Sequence, residues 1–256
     1  MGIKCISFSL YGTDEKYLIG ALKNVELAKI LFPNYTCYFF IDHTVPKKYI
    51  AQLNNTVNTK LIDMSSSDLP PMMWRFTAID LPEVELMLVR DTDSRLSERE
   101  KNLVNLWINE HTNFMIIKDH PYCHRKVQMY GGMWAMQKVA GLNIAMLIRN
   151  WLPSTANVNA YGADQSFLDE YVYPLALNSL SYYDNYNINQ LPICKAIPFK
   201  RKNWDFIGEI HYANGTRGFQ WKSLRGYHFR QAGVVGYIAS KILNVFNPEW
   251  PKRSTS

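Results

Sequence analysis

The chain has 256 residues, with 28 Lys and Arg against 22 Asp and Glu, for a formal net charge of +6. With 47% hydrophobic and 20% charged residues it can bury a full core, which excludes disorder over most of its length. No stretch approaches the roughly 18 consecutive apolar residues that cross a bilayer. The N-terminus is not a basic leader ahead of a long apolar run, so a cytoplasmic protein without a signal peptide or a transmembrane segment is expected.

Short β-branched or aromatic runs alternate with longer helical patterns, which predicts an α/β fold. The first strand is predicted over Ile3 to Leu10, leaving through Ser9, Leu10 and Tyr11. A helix follows from about Asp14 to Leu31, with Leu18, Leu22, Val25 and Leu31 on one stripe. Pro33 stops it, and Tyr35 to Ile41 reads as a second strand. Cys5 and Cys37 lie inside these apolar runs as small hydrophobes, and no CxxC pair exists, so a structural zinc site is not expected. Residues 65–71, rich in Ser and Pro, read as a loop.

Leu86-Met87-Leu88-Val89 is an apolar run of the kind buried on both faces in a central strand. It runs directly into Arg90-Asp91-Thr92-Asp93-Ser94-Arg95. Ser97 and Glu100 form a capping box, ahead of a helix burying Leu103, Val104, Trp107 and Ile108. Phe114 to Ile117 reads as a strand, and Met133 to Val139 and Asn143 to Leu152 as helices. A further helix begins near Ala163 and turns Phe167, Leu168, Tyr171 and Val172 inward; the last runs from Val234 to Phe246. Lys200-Arg201-Lys202 and Lys252-Arg253 are too scattered to make a nucleic-acid footprint. With no repeat and no linker, one domain over 1–246 with a loose tail at 247–256 is expected.

In open α/β sheets ligands bind beyond the carboxyl ends of strands. Asp91 and Asp93 in that place are two hard oxygen ligands suited to Mg²⁺ or Mn²⁺, and the flanking Arg90 and Arg95 suit a metal-bound diphosphate. The same D-x-D can also be turn chemistry, and the arginines a structural ion-pair cluster.

Trp74-Arg75-Phe76, the run from Leu86 through Asp91-Thr92-Asp93 to Glu100, Lys118-Asp119-His120-Pro121 and Gly131-Gly132-Met133-Trp134 occur here in that order. Together they resemble the metal-dependent glycosyltransferases of the GT-A fold, and in particular small glycosyltransferases of bacteria and large DNA viruses, including chlorella viruses. The resemblance spans about Lys4 to Gly215. It implies a single Rossmann-like domain with a mixed central sheet, and transfer of a hexose or deoxyhexose from a UDP-sugar to a hydroxyl of a glycan or glycoprotein acceptor, with retention. It implies that Ser9, Leu10 and Tyr11 hold the base, that Arg75, Arg90, Asp91, Thr92 and Asp93 hold ribose, diphosphate and metal, and that Gly131, Gly132 and Met133 let backbone approach the sugar. It implies that Asp164 and Gln165, at a helix start that would favour an ionised Asp164 or merely use it as a cap, act beside the reacting carbon. A late histidine completes the metal set in the retaining relatives; His211 is the first candidate and His228 the second, although their usual HxxGxxK element is not cleanly reproduced. Two other readings stay open: a phosphohydrolase of the haloacid dehalogenase type, which also uses D-x-D after a strand, and a domain that binds nucleotide-sugar or glycan without turnover.

Overall fold

The computed structural model describes residues 2–158, 160–187 and 190–231. Eight strands form one sheet in the order β3-β2-β1-β4-β6-β5-β7-β8. β1 (Ile3–Leu10), β2 (Tyr35–Ile41), β3 (Thr59–Asp63) and β4 (Val84–Val89) pair in parallel, as do β5 (Phe114–Lys118), β7 (Leu180–Asp184) and β8 (Cys194–Lys195). Between the two sets lies β6 (Trp134–Gln137), antiparallel to both β4 and β5. The result is a mixed α/β sheet of Rossmann-like build.

The helical layers follow from the apolar stripes. α1 (Glu15–Leu31) is capped by the Asp14 side chain, which accepts from the Lys16 N–H, and it buries Leu18, Ala21, Val25 and Ala28 on one face of the sheet. α2 (Lys47–Asn54) lies on the same side, as does α3 (Glu98–Glu110), capped by Ser97 and burying Leu103, Val104 and Trp107. A run of 3₁₀ turns, Pro71–Asp80, covers the other face together with α4 (Ile144–Trp151), α5 (Ala163–Phe167) and α6 (Tyr173–Ala176), with Trp74, Phe76, Trp134 and Phe167 packed between them. α7 (Gln220–Gln231) ends the described chain.

Two predicted elements differ from the structure. Residues 133–139 are not a helix: Trp134, Ala135 and Met136 are fully buried in β6, and a four-residue run hidden on both faces carries no periodicity to separate strand from helix. The helix starting at Ala163 buries Phe167, Leu168 and Val172 as predicted, but it passes through a π turn at Leu168–Val172 before continuing as α6. The helix at 234–246 and the tail at 247–256 lie outside the described residues. Among the described residues, no helix is long and apolar enough to cross a membrane.

Candidate functional site

The parallel strands β1 and β4 end side by side, and the antiparallel β6 begins at the same rim. The chain therefore delivers Ser9 to Tyr11, Asp91 to Asp93 and Gly131 to Met133 to one place. Ser9 and Ser7 fix the 3₁₀ segment there: the Arg75 N–H donates to Ser9 Oγ at 3.0 Å, and Ser7 Oγ–H donates to the Arg75 carbonyl at 2.6 Å. Leu10 is buried, leaving Tyr11 half-exposed with its ring 5.9 Å from Trp74 in an edge-to-face arrangement.

Arg75 is the centre of the site. Its Nη2 lies 3.1 Å from Asp91 Oδ1 and 3.0 Å from Asp164 Oδ2, and its Nε donates to the Gly131 carbonyl at 3.2 Å. The two glycines leave the space that this convergence needs. A Cβ on Gly131 would stand 2.2 Å from Asp164 Oδ2 and 2.5 Å from Arg75 Nη2, and one on Gly132 would stand 2.2 Å from Asp91 Oδ2. Met133 is buried, with its sulfur against Gly208.

Asp93 faces a second cation, Lys16 Nζ, at 3.0 Å from Oδ2. Burial, reinforced by the Asp91 charge, pushes the Asp93 carboxyl above the usual range although Lys16 and Arg75 oppose the shift. Burial likewise raises the Asp164 carboxyl, with Arg75 opposing and Asp91 adding. The helix start expected to favour an ionised Asp164 is short, since α5 has only five residues, and burial acts against it. Asp164 does not cap α5 either, since Gly162 stands at the cap position with no side-chain cap bond, and Asp164 Oδ1 accepts from the Gln165 N–H at 3.0 Å. Gln165 is half-buried.

Thr92 presents its backbone carbonyl to α1. Its carbonyl accepts from Asn24 Nδ2 at 3.1 Å and from Arg95 Nη1 at 3.0 Å, and a Cβ on Gly20 would stand 2.1 Å from it. Asn24 also donates to the Ser94 carbonyl and accepts from the Leu96 N–H. Lys16, Gly20 and Asn24 are spaced i, i+4, i+8, so one stripe of α1 lies along the D-x-D segment. The apolar stripe drew attention away from it; a buried Asn and a Gly four residues apart inside a helix were the signal.

Arg90 leaves the site. Only 2% exposed, it is ion-paired with Glu100 and donates through Nη1 to the carbonyls of Val89 and Trp134, so the expectation that it binds the donor is corrected. Arg95 similarly folds back onto the carbonyls of Thr92 and Ser94. His120 closes a turn, its Nδ1 accepting from the N–H groups of Tyr122 and Cys123. Asp119 pairs with both Arg99 and Arg201.

Of the two candidate histidines, His211 is tied to the D-x-D: its N–H donates to the Asp93 carbonyl at 2.8 Å. Its imidazole is held neutral down to about pH 4, first by burial and then by Arg95 and Arg217. His228 pairs through Nε2 with the Tyr186 hydroxyl instead. Among the described residues, no three His, Cys, Asp or Glu side chains converge as a ready-made metal cage. The donor chemistry nevertheless suits a hard divalent ion: Asp91 and Asp93 supply oxygens, and three carboxylates share the two cations Arg75 and Lys16, while the His211 ring lies 4.0 Å from Glu209 Oε2.

The chain matches no protein-family model and no curated protein. Among solved structures it is similar to a mannosyltransferase, PcManGT of Pyrobaculum calidifontis, in complex with GDP-Man and Mn²⁺, at 10% identity over 98% of this chain and 77% of that one, TM-score 0.48. It is also similar to a glycosyltransferase involved in glycosylation of the major capsid of PBCV-1, at 16% identity over 73% and 84%, TM-score 0.46. A third is TarS of S. aureus, at 19% identity over 71% of this chain, TM-score 0.47; the chain spans 58% of the length of that structure. Likenesses with TM-scores below 0.5 leave the assignment of function to the site's own residues.

Proposed function

We propose that the chain is a GT-A-type glycosyltransferase that moves a hexose or deoxyhexose from a UDP-sugar to a glycan hydroxyl, dependent on Mn²⁺ or Mg²⁺ and with retention. The observation that carries this reading is the convergence of Asp91, Asp164 and Arg75 on the glycine pair Gly131-Gly132, at the rim where β1 and β4 end.

In this reading Tyr11 and the end of β1 border the base, and Gly131 and Gly132 admit the sugar close to backbone. Arg75 reaches from the two carboxylates to the doubly charged diphosphate, whose paired oxygens suit its planar guanidinium fork. Asp91, Asp93 and the neutral His211 imidazole would hold the ion, which when bound supplies Lewis-acid neutralisation of the leaving diphosphate. Asp164 stabilises positive charge growing on the anomeric carbon, with Gln165 beside it, and the Arg75 charge favours the carboxylate form of Asp164 against the burial that raises its carboxyl.

The test is release of nucleoside diphosphate from a panel of UDP- and GDP-sugars with Mn²⁺, in wild type and in Asp91→Asn. UDP release that requires Asp91, with a product anomer matching the donor's by NMR, is expected. Tight UDP binding with no release would make the chain a binding domain, and release of inorganic phosphate from phosphomonoesters would make it a phosphohydrolase.

A further inference from the structure

Lys16 has no part in that reading, yet its placement breaks a local rule. It sits in the first turn of a 17-residue helix, where the backbone dipole disfavours a cation. Violations of this kind concentrate at functional sites. Here the cation is directed: its ammonium lies 3.0 Å from Asp93 Oδ2, both side chains are mostly buried, and Gly20 and Asn24 on the same helix stripe lock that face of α1 against residues 92–96. Asp93 therefore already holds a positive charge where a divalent ion would need its oxygen. Asp91 and Asp164 are engaged in the same way by Arg75.

We propose that Lys16 is a tethered counter-cation that a divalent ion must displace from Asp93, and that the released ammonium then pairs with the donor's diphosphate, so that ion and nucleotide bind cooperatively. The proposal rests on the donor reading above. Without a nucleotide, an incoming ion must break the Lys16–Asp93 pair and leave the ammonium with no anion beside it. With a nucleoside diphosphate present, the displaced ammonium gains a doubly charged partner. Each ligand removes a cost that the other would otherwise meet, and linkage makes the enhancement equal in both directions.

Mn²⁺ binding is read by the electron paramagnetic resonance of the free ion, with and without UDP, in wild type, Lys16→Met, Lys16→Arg and Asp93→Asn. Lys16→Met keeps the aliphatic stem and drops the charge. It is expected to bind Mn²⁺ alone about tenfold more tightly, a change of about 1.4 kcal/mol, and the UDP enhancement should shrink toward one. Lys16→Arg is expected to keep the wild-type enhancement. Unchanged Mn²⁺ affinity and UDP enhancement in Lys16→Met, with binding still lost in Asp93→Asn, would overturn the counter-cation while leaving the metal site standing. Lys16→Arg matching Lys16→Met would also overturn it, because charge would then not be the cause. Mn²⁺ binding that is indifferent to Asp93→Asn would overturn the metal reading itself.

Discussion

One guanidinium nitrogen of Arg75 serves two carboxylates, and two residues without side chains make that possible. Gly132→Ala is expected to push Asp91 out of place, because the added methyl would stand 2.2 Å from its Oδ2, 2.6 Å from its Cγ and 2.8 Å from its own backbone nitrogen. Overpacking of this kind costs about 1–3 kcal/mol, read by urea denaturation, and calorimetry should show nucleotide affinity lost. Asp164→Asn separates catalysis from stability. Burial already raises the Asp164 carboxyl, so ionising it there stores little stability, and Arg75 keeps Asp91 after the change. The melting temperature is expected to hold within a few degrees, while turnover should fall by about 10²-fold or more, as when one preorganised electrostatic group is removed. A melting temperature that drops with turnover intact would make Asp164 a structural residue.

At the scale of elements, α1 is the arm that carries the D-x-D. Asn24 is fully buried and makes three hydrogen bonds to residues 92–96. Asn24→Ala would strand the Leu96 N–H and leave the Thr92 and Ser94 carbonyls to Arg95 alone; at about 1–3 kcal/mol for a stranded group, a loss of that order in urea unfolding is expected, with weaker nucleotide binding. β1, β2, β4 and β5 were legible because continuous apolar runs bounded by Gly, Pro or Asp have few other uses, and the D-x-D because it follows such a run directly. β7 was not legible, since Leu180-Ser181-Tyr182-Tyr183-Asp184 mixes polar and aromatic residues and owes its place to pairing with β5. Arg90 and Arg75 looked equivalent in the chain. Only the fold shows that the first meets Glu100 from α3 in the core while the second meets Asp91 and Asp164, partners set by contacts across 16 and 89 residues.

Across the whole molecule, buried Asp119 ties the end of β5 to three distant segments. Arg99 of α3, Arg201 and Asn185 all donate to its carboxylate, as does the Ile207 N–H. Asp119→Asn would leave two buried arginines short of a counter-charge, and ~3–5 kcal/mol of destabilisation is expected. Beside it the buried His124 accepts the Asp119 N–H through Nδ1, and burial, then His120, pushes its imidazole down to about 3. An unfolded histidine titrates near 6.5. Below that the unfolded chain takes up a proton that the native state refuses, so stability is full above about pH 6.5 and is lost as pH falls toward 3. Urea midpoints at pH 7 and pH 4.5 should show this fall, and His124→Asn, which keeps an acceptor but cannot titrate, should lessen it and leave the share of His211, which burial pushes down to about 4. The antiparallel β6 imposes an order on synthesis. β3, β2, β1 and β4 can assemble while the chain emerges from the ribosome, but β5 follows before the strand that must sit between it and β4 has been made. Until residue 137 is out, the nascent protein carries Leu86 to Val89 as an open apolar edge, the kind of template on which chains aggregate. A fragment cut between β5 and β6 should therefore need a chaperone to stay dissolved.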